Sequence, residues 1–275
     1  MHREERQRQV DQLFSSAAAY WDEVYRARSV EGIVYRTRQE RVLRWVDELG
    51  LPAHSTVLEI GCGAGLLTAA LAERGFRVLA VDTVPEMVER TRRRAREHGL
   101  DGLVSARVGD VQALGLESGA VELAVAIGVL PWLHEPAAAL RELARVARAS
   151  GHVLFSTDNA ARLAHLLDPR LNPYLSPVRE RVKAALGRAG LPPSVHTDAW
   201  RREVDRLVAE SGLVKKKGTT VGFAPLSAWG RPVLTGRAGG AFQRRAQALA
   251  DRGLPALRSA GAQYLVLAQK PPQSR

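Results

Sequence analysis

The stretch VLEIGCGAG, residues 57–65, decides the fold class, because a short apolar run leads directly into three glycines at alternate positions. A helical pattern of apolar residues begins immediately after it, at Leu66. Glycine permits a sharp backbone turn and lets a ligand approach the main chain without an intervening side chain. The stretch therefore predicts a buried strand, a ligand-binding turn and a helix, although a purely structural turn between a strand and a helix can have the same pattern.

The segments on both sides of this turn alternate between strand and helix patterns. We predict strands at 56–60, 77–81, 103–108, 123–127 and 152–156, and helices at 66–74, 85–98 and 136–147. This alternation specifies a Rossmann-like, doubly wound α/β fold with a mostly parallel sheet. Two later strands, at 214–223 and 262–268, flank an insertion at about 224–261 and predict a hairpin with an antiparallel last strand.

Residues 1–54 precede this sheet and predict an N-terminal helical cap on a main domain of residues 55–275. Val10, Phe14 and Trp21 recur at helical spacing and would form one apolar stripe.

The C-terminal half carries three further helix patterns. A short basic helix is expected at 178–189, and Thr197 resembles the N-cap of a second helix. In the insertion, Phe242 and Leu249 lie opposite Arg244 on a basic amphipathic helix. That helix either packs on its own domain or makes peripheral contact with an anionic membrane or a lipid-linked substrate.

Composition narrows the class of protein. The 275 residues are 45% hydrophobic, which is enough for one continuous core. The single cysteine, Cys62, excludes a disulfide framework and a thiolate zinc cluster, and no metal site is expected. The net charge of +11 comes from dispersed arginines without interleaved aromatic residues, so nucleic acid is not the expected partner. No apolar run approaches the ~20 residues of a membrane span, which favours a cytoplasmic protein.

Three acidic residues accompany the glycine turn. Glu59 lies at the end of the first predicted strand, where its carboxylate would attract a positively charged ligand. Asp82 ends the second strand, where it could accept hydrogen bonds from both hydroxyls of a ribose or merely cap the next helix. Asp110 follows the third strand, where it could accept from an adenine amino group or serve in a turn. Leu66 occupies the place that a dinucleotide fingerprint reserves for a small residue.

These motifs, within residues 55–156, resemble the class I S-adenosylmethionine-dependent methyltransferases. The resemblance implies that Gly61, Gly63 and Gly65 pass close to the methionine part of S-adenosylmethionine, that Asp82 holds the ribose, and that Asp110 with Val111 holds the adenine. It also implies that the residues after the fourth strand line the cavity beneath the positively charged sulfur of the cofactor and form its floor. The other cofactor-binding residues that we expect are Glu59, Cys62, Thr83 and Met87 around the loop, Ile127 and Gly128 in the floor, and Arg36 opposite the methionine carboxylate.

The methyl acceptor should meet the carboxyl ends of the fourth and fifth strands. An acceptor oxygen with a high pKa needs a general base, for which His134 is the candidate, with a capping or packing histidine as the alternative. Trp132 would form an aromatic wall or pack in the core, Asp158 and Asn159 would orient the acceptor, and Tyr20 of the cap would cover it.

The sequence therefore predicts an enzyme that methylates an oxygen atom of a small molecule such as a quinone, a sugar or a natural-product intermediate. Two alternatives stay open. A nicotinamide-dependent oxidoreductase would carry a small residue at position 66 and a Tyr-x-x-x-Lys pair, neither of which occurs. A non-catalytic, partner-binding relative would keep the fold without cofactor affinity.

Overall fold

The computed structural model describes residues 3–175, 177–178, 181, 196–229 and 231–272. The predicted basic helix at 178–189 lies almost wholly outside the described residues. The helices are α1 (Arg3–Ser16), α2 (Ala18–Glu23), α3 (Val30–Glu48), α4 (Leu66–Ala72), α5 (Pro85–Glu97), α6 (Pro136–Val146), α7 (Leu163–Leu167), α8 (Arg201–Glu210) and α9 (Gly236–Asp251). The strands are β1 (Thr56–Ile60), β2 (Arg77–Asp82), β3 (Val104–Val108), β4 (Val121–Ala126), β5 (Ala147–Asn159), β6 (Asp198–Ala199), β7 (Val214–Val221), β8 (Leu226–Ala228), β9 (Arg231–Leu234) and β10 (Gln263–Gln269).

The main sheet has the strand order β3-β2-β1-β4-β5-β10-β7, with β6 paired to the end of β5. Strands β1 to β5 run parallel, and β10 lies antiparallel between β5 and β7. The Rossmann-like fold, the late hairpin and the antiparallel last strand are therefore confirmed. The strand order reverses between β1 and β4, and a crevice opens at such a reversal outside the carboxyl ends of the strands.

Helices cover both faces of the sheet, which explains why its central strands are continuously apolar. Successive side chains of a strand point to opposite faces. Leu58 accordingly joins the core cluster with Leu140 of α6, and its neighbour Val57 joins the cluster with Val42 and Trp45 of α3. Helix α3 thus shares a core with β1, and the division of the chain at residue 54 stays a prediction.

The helix expected after Thr197 begins four residues later, at Arg201. Trp200 takes the N-cap position, and its backbone N–H donates to Glu203 Oε2 at 3.1 Å. The backbone N–H of Thr197 instead donates to Pro131 O at 2.8 Å. That contact ties the segment before α8 to the turn after β4.

Helix α9 of the insertion packs its apolar side against its own chain. Ala246 and Ala250 are buried with Phe223, and the partly buried Phe242 packs on the same cluster. The face that would contact a bilayer is therefore largely buried within the chain, although Leu249 is exposed. Among the described residues, the structure has no helix that is both long and apolar enough to cross a membrane.

Phe155→Ala tests the core around β5. The Phe155 side chain is fully buried, so its truncation should lower the free energy of unfolding by about 3–5 kcal/mol in a urea titration, through lost burial and a residual cavity. Val233→Ala is the control, because 58% of Val233 on the β8–β9 hairpin is exposed. This control should cost less than about 0.5 kcal/mol, and equal losses in the two variants would contradict the packing described here.

Candidate cofactor and acceptor site

One cavity opens at the carboxyl ends of β1, β2 and β4, where the strand order reverses. It collects residues from the glycine loop, the strand ends, the N-terminal helices and the segment before α8. The sequence-predicted site residues that line it are Glu59, Gly61, Cys62, Gly63, Asp82, Thr83, Met87, Asp110, Val111, Ile127, Gly128, Trp132 and Asp158.

The glycine loop follows β1 and needs glycine for different reasons along its length. Gly61, Gly63 and Gly65 have φ values of +69°, +53° and +76°, which L side chains rarely adopt. A Cβ on Gly63 would meet no protein atom within 4 Å, so the backbone there borders open space. A Cβ on Gly65 would come within 2.9 Å of the Thr91 backbone in α5. Gly65 therefore serves helix packing and lies outside the residues that line the cavity.

The Asp82 carboxylate organises the loop as well as the cavity. Its Oδ2 accepts from the Gly63 N–H at 2.9 Å, and its Oδ1 accepts from the Val84 N–H at 3.0 Å. Burial raises the pKa of Asp82, and these two backbone hydrogen bonds oppose the rise. Each carboxylate oxygen has a second lone pair, so Asp82 retains acceptor capacity for two further donors.

Glu59 is a buried acid at the end of β1, with only 3% of its surface exposed. Burial raises its pKa to about 8, and the nearby Asp82 adds to the rise, although Thr68 Oγ1 donates to Glu59 Oε2 at 2.5 Å. A carboxylate in this setting gains most from a positive charge placed next to it. The expected preference for a cationic ligand thus has a physical basis in the burial of Glu59.

The remaining strand ends complete the cavity wall. Asp110 and Val111 follow β3, and Asp110 Oδ1 accepts from the Gln112 N–H at 2.9 Å. Gly128 follows β4 with φ +76°, and its N–H donates to Ser156 Oγ at 2.8 Å. A Cβ at Gly128 would come within 3.2 Å of the guanidinium of Arg38, so a side chain there would crowd this cation.

Arg38, and not Arg36, brings positive charge to the cavity. Arg36 donates to the backbone oxygens of Tyr25 and Ala27 at 2.6 and 2.7 Å, and it lies outside the residues that line the cavity. Arg38 is 6% exposed and donates to Tyr25 Oη at 2.8 Å and to Gln263 Oε1 at 3.3 Å. Among the described residues, its buried Nε has no hydrogen-bond partner. Arg38 is therefore available to a buried anion.

The N-terminal helices close the cavity from above. Gln7, Val10 and Phe14 of α1 line it, and Gln7 Nε2 donates to Thr83 Oγ1 at 3.3 Å. The aromatic rings of this cap form a continuous series: Phe14 lies 5.6 Å from Trp21, Trp21 lies 5.6 Å from Tyr35, and Tyr35 lies 5.6 Å from Tyr25. Burial raises the pKa of Tyr35 to about 12, so its hydroxyl stays neutral at physiological pH.

The far end of the cavity holds a histidine that the sequence interpretation missed. His196 Nε2 lies 2.7 Å from Asp158 Oδ2, and its ring packs edge-on against Trp132 with a centroid distance of 4.8 Å. Residue 158 pairs with residue 198 in the β5–β6 ladder, which brings His196 to Asp158. Because this pairing is non-local, the local sequence around His196 carries no signal of it.

Three predicted acceptor-side residues lie elsewhere. His134 is exposed, Tyr20 is 47% exposed beside Trp21, and neither lines the cavity. Asn159 is fully buried, and its Nδ2 donates to Ser259 O at 2.9 Å and to Gly261 O at 2.8 Å. Asn159 therefore joins the loop before β10 to the end of β5 by two hydrogen bonds and stabilises the fold.

Comparison with known proteins finds matches to the central segment of the chain. Residues 58–155 match the family model described as a methyltransferase domain. The chain is 30% identical over 162 residues to the ubiquinone biosynthesis O-methyltransferase of Xanthomonas axonopodis pv. citri (strain 306), covering 58% of this chain and 65% of that protein. It is 36% identical over 112 residues to the malonyl-[acyl-carrier protein] O-methyltransferase of Serratia marcescens, and this match covers 41% of this chain and 42% of that protein.

A solved structure extends the likeness of fold to nearly the whole chain. The magnesium protoporphyrin IX methyltransferase from Synechocystis PCC 6803 with bound SAH superposes with a TM-score of 0.61 at 14% identity, covering 94% of this chain and 97% of that one. At this identity the likeness concerns the fold alone. The chain spans less than two thirds of the length of the two curated relatives named above.

Glu59→Gln tests the burial of the acid in the cofactor-free protein. The pKa of Glu59 is about 8 in the folded protein, against an ordinary value of 4.5. The folded state therefore binds more protons than the unfolded state between these values, and this group lowers stability as the pH rises from 4.5 towards 8. Glutamine does not titrate, so the variant should melt at an increasingly higher temperature than the wild type as the pH approaches 8.

Thermal melts followed by circular dichroism over this pH range measure the effect. Glu117→Gln is the matched control, because the Glu117 side chain is exposed, and its melting curve should follow the wild type at every pH. Parallel pH profiles for wild type and Glu59→Gln would contradict the buried, protonated acid.

Proposed function

We propose that this chain, whose residues 58–155 match the methyltransferase-domain family model, is a class I S-adenosylmethionine-dependent methyltransferase that transfers a methyl group to an oxygen atom of a small-molecule acceptor. One observation carries the proposal: a single cavity gathers the buried acid Glu59, the strand-end carboxylates Asp82 and Asp110, and the buried cation Arg38.

This set of side chains fits the parts of S-adenosylmethionine. Asp82 would accept from the ribose hydroxyls, and Asp110 with Val111 would hold the adenine. Glu59 would compensate the positive charge of the ligand, which its burial in the cavity favours. Arg38, whose Nε is unpartnered among the described residues, would pair with the methionine carboxylate in place of Arg36.

The chain's own contribution to methyl transfer is alignment and exclusion of water. S-adenosylmethionine supplies a methyl carbon that a positively charged sulfur makes reactive. The open glycine backbone and the floor at Ile127 and Gly128 would fix the position of that carbon. The aromatic rings of Phe14 and Trp21 would cover the cavity and keep bulk water away from the reacting atoms.

The acceptor is proposed to be a small molecule with an apolar or planar part and a hydroxyl group, as in a quinone precursor, a sugar or a natural-product intermediate. Trp132 and the tyrosines of the cap offer aromatic surface on the acceptor side. The two curated relatives are both named O-methyltransferases, which supports oxygen as the methylated atom.

A matched pair of arginine variants tests cofactor binding by isothermal titration with S-adenosylmethionine and its demethylated product. Arg38→Met should weaken both ligands by about 10- to 150-fold, because a hydrogen-bonded charge contributes about 1.5–3 kcal/mol. Arg36→Met should leave the dissociation constants within a factor of about 3, since Arg36 bonds to backbone oxygens outside the cavity.

Binding by neither ligand to the wild type would exclude the proposed function and favour a non-catalytic, partner-binding role. Weaker ligand binding in Arg36→Met alone would indicate that Arg36, the residue that the sequence suggested, pairs with the methionine carboxylate.

Methyl transfer itself is tested with radiolabelled S-adenosylmethionine and a panel of hydroxylated compounds. The panel contains 3,4-dihydroxybenzoate and related catechols, a malonyl thioester, and free and nucleotide-linked sugars. We expect enzyme-dependent label in at least one O-methylated product, and Asp82→Ala should lower kcat/KM for S-adenosylmethionine by about 5- to 150-fold through the lost ribose contacts. Label only in N- or C-methylated products would contradict the oxygen assignment.

A further inference from the structure

We propose that a surface formed by the β8–β9 hairpin and the segment 163–175 docks the chain on an anionic phospholipid membrane. The inference is independent of the proposed function, because contact with a membrane requires neither a cofactor nor a methyl acceptor. It concerns a surface other than the apolar side of α9, which packs with Phe223 inside the chain.

Exposed apolar side chains are concentrated on these two segments. Among the described residues, thirteen large apolar side chains are exposed, and six of them lie here. Single exposed apolar residues are ordinary on a protein surface, whereas a group on adjoining segments marks a surface that another molecule covers. We call this group the hairpin patch, and its members are Leu167, Leu171, Tyr174 and Leu175 of the first segment and Trp229 and Val233 of the hairpin.

Hydrogen bonds hold the two segments together. Ser227 Oγ of β8 donates to Asp168 Oδ2 at 3.0 Å, and Arg170 Nη1 donates to Trp229 O at 2.9 Å. Asp168 Oδ1 also accepts from the Arg170 N–H at 3.0 Å, in the turn that follows α7. The hairpin patch is therefore one surface, built from two distant parts of the sequence.

Trp229 lies in the turn of the hairpin and is the most exposed member of the patch, with 69% of its surface accessible. The pairing of Ala228 with Arg231 closes the turn around it. Its φ of +53° is in the left-handed region, which bulky L residues rarely adopt. An unfavourable backbone conformation thus presents an indole to solvent. An indole combines a large apolar body with one N–H donor, which suits the boundary between lipid headgroups and acyl chains.

The charge around the hairpin patch is positive. Residues 211–250 contain seven lysines and arginines and no aspartate or glutamate. Arg170, Arg231 and Arg237 are exposed, and among the described residues no carboxylate lies within salt-bridge distance of them. Asp168, the acid within the two segments, is fully buried. Arginines around exposed apolar side chains complement an anionic lipid surface, because each cation is attracted to the headgroups while the apolar groups enter the bilayer.

The same charge disfavours a second copy of this chain as the occupant of the patch. A two-fold interface brings identical surfaces together, so Arg231 and Arg237 would face the same arginines of another copy. Like charges that meet across an interface oppose association. An anionic bilayer accommodates both the arginines and the apolar side chains.

The hairpin patch adjoins the far end of the cavity. Arg162, the N-cap of α7, lies 3.7 Å from Asp158, which lines the cavity. The ring centroid of Tyr174 lies 5.4 Å from that of Trp200, the N-cap of α8. Docking through the patch would therefore hold this end of the cavity close to the bilayer surface.

Cosedimentation with lipid vesicles tests the inference. Vesicles of phosphatidylcholine with about 30% phosphatidylglycerol should bind the wild-type chain, and vesicles of phosphatidylcholine alone should bind it at least about 10-fold more weakly. Binding to the anionic vesicles should fall as the NaCl concentration rises from about 50 mM to about 500 mM, because salt screens the attraction.

Matched substitutions locate the contact. Trp229→Ser should weaken binding to anionic vesicles by about 5- to 50-fold, through the loss of buried aromatic area. Val233→Ser should weaken it by about 2- to 10-fold. Val214→Ser is the same change at a position that is 51% exposed, at the opposite end of β7 from the hairpin, and it should bind like the wild type.

A second pair of variants tests the charge. Arg231→Gln should weaken binding to anionic vesicles by about 5-fold, because one cation near the surface is lost. Arg77→Gln removes an exposed arginine at the start of β2, outside the patch, and should change binding by less than about 2-fold.

Fluorescence with brominated phosphatidylcholine in the anionic vesicles shows which ring enters the lipid. Trp229→Phe should still bind these vesicles but lose most of the quenching that the wild type shows. Because Trp229 and Val233 are exposed, all variants should keep the melting temperature of the wild type.

Four results would each overturn the proposal. They are absence of vesicle binding by the wild type, equal binding by Val233→Ser and Val214→Ser, quenching that survives in Trp229→Phe, and a dimer in sedimentation velocity that Trp229→Ser dissociates. The last result would assign the hairpin patch to a second copy of the chain.

Discussion

The attachment of the glycine loop to the end of β2 is the constraint on which the rest of the site depends. The Gly61 N–H donates to Val81 O at 2.7 Å, and the Gly63 N–H donates to the Asp82 carboxylate at 2.9 Å. The same carboxylate accepts from Val84 at the start of α5. One side chain therefore shapes the loop, begins a helix and faces the cavity, so the geometry of the proposed cofactor site is already built into the fold.

The electrostatics of the cavity follow from burial. Burial in the apolar interior raises the pKa of Glu59 and so disfavours its ionised form. Among the described residues, no carboxylate lies within salt-bridge distance of the buried cation Arg38. A ligand that carries a positive centre and a carboxylate compensates both groups at once. The protein without ligand bears the energetic cost of this arrangement, which is typical of a site that is organised before its ligand arrives.

The cavity is lined by Trp132 from within the matched region of residues 58–155 and by segments outside it. The cap contributes Phe14, Trp21 and Tyr35, and the segment before α8 contributes His196. The N-terminal helix α1 and the segment before α8 border the cavity, whereas α3 also packs on one face of the sheet through Val42 and Trp45.

The sequence by itself determined the alternating sheet, the glycine loop and the three acidic strand ends. Parallel strands bring their carboxyl ends to one edge, so Glu59, Asp82 and Asp110 had to meet there once the strands were recognised. Only the tertiary structure shows that Arg38, and not Arg36, lines the cavity, because two helical positions about 200° apart point in different directions. It also places His196, and not His134, in the cavity beside Asp158, since the pairing of β6 with β5 is a long-range contact that local patterns do not encode.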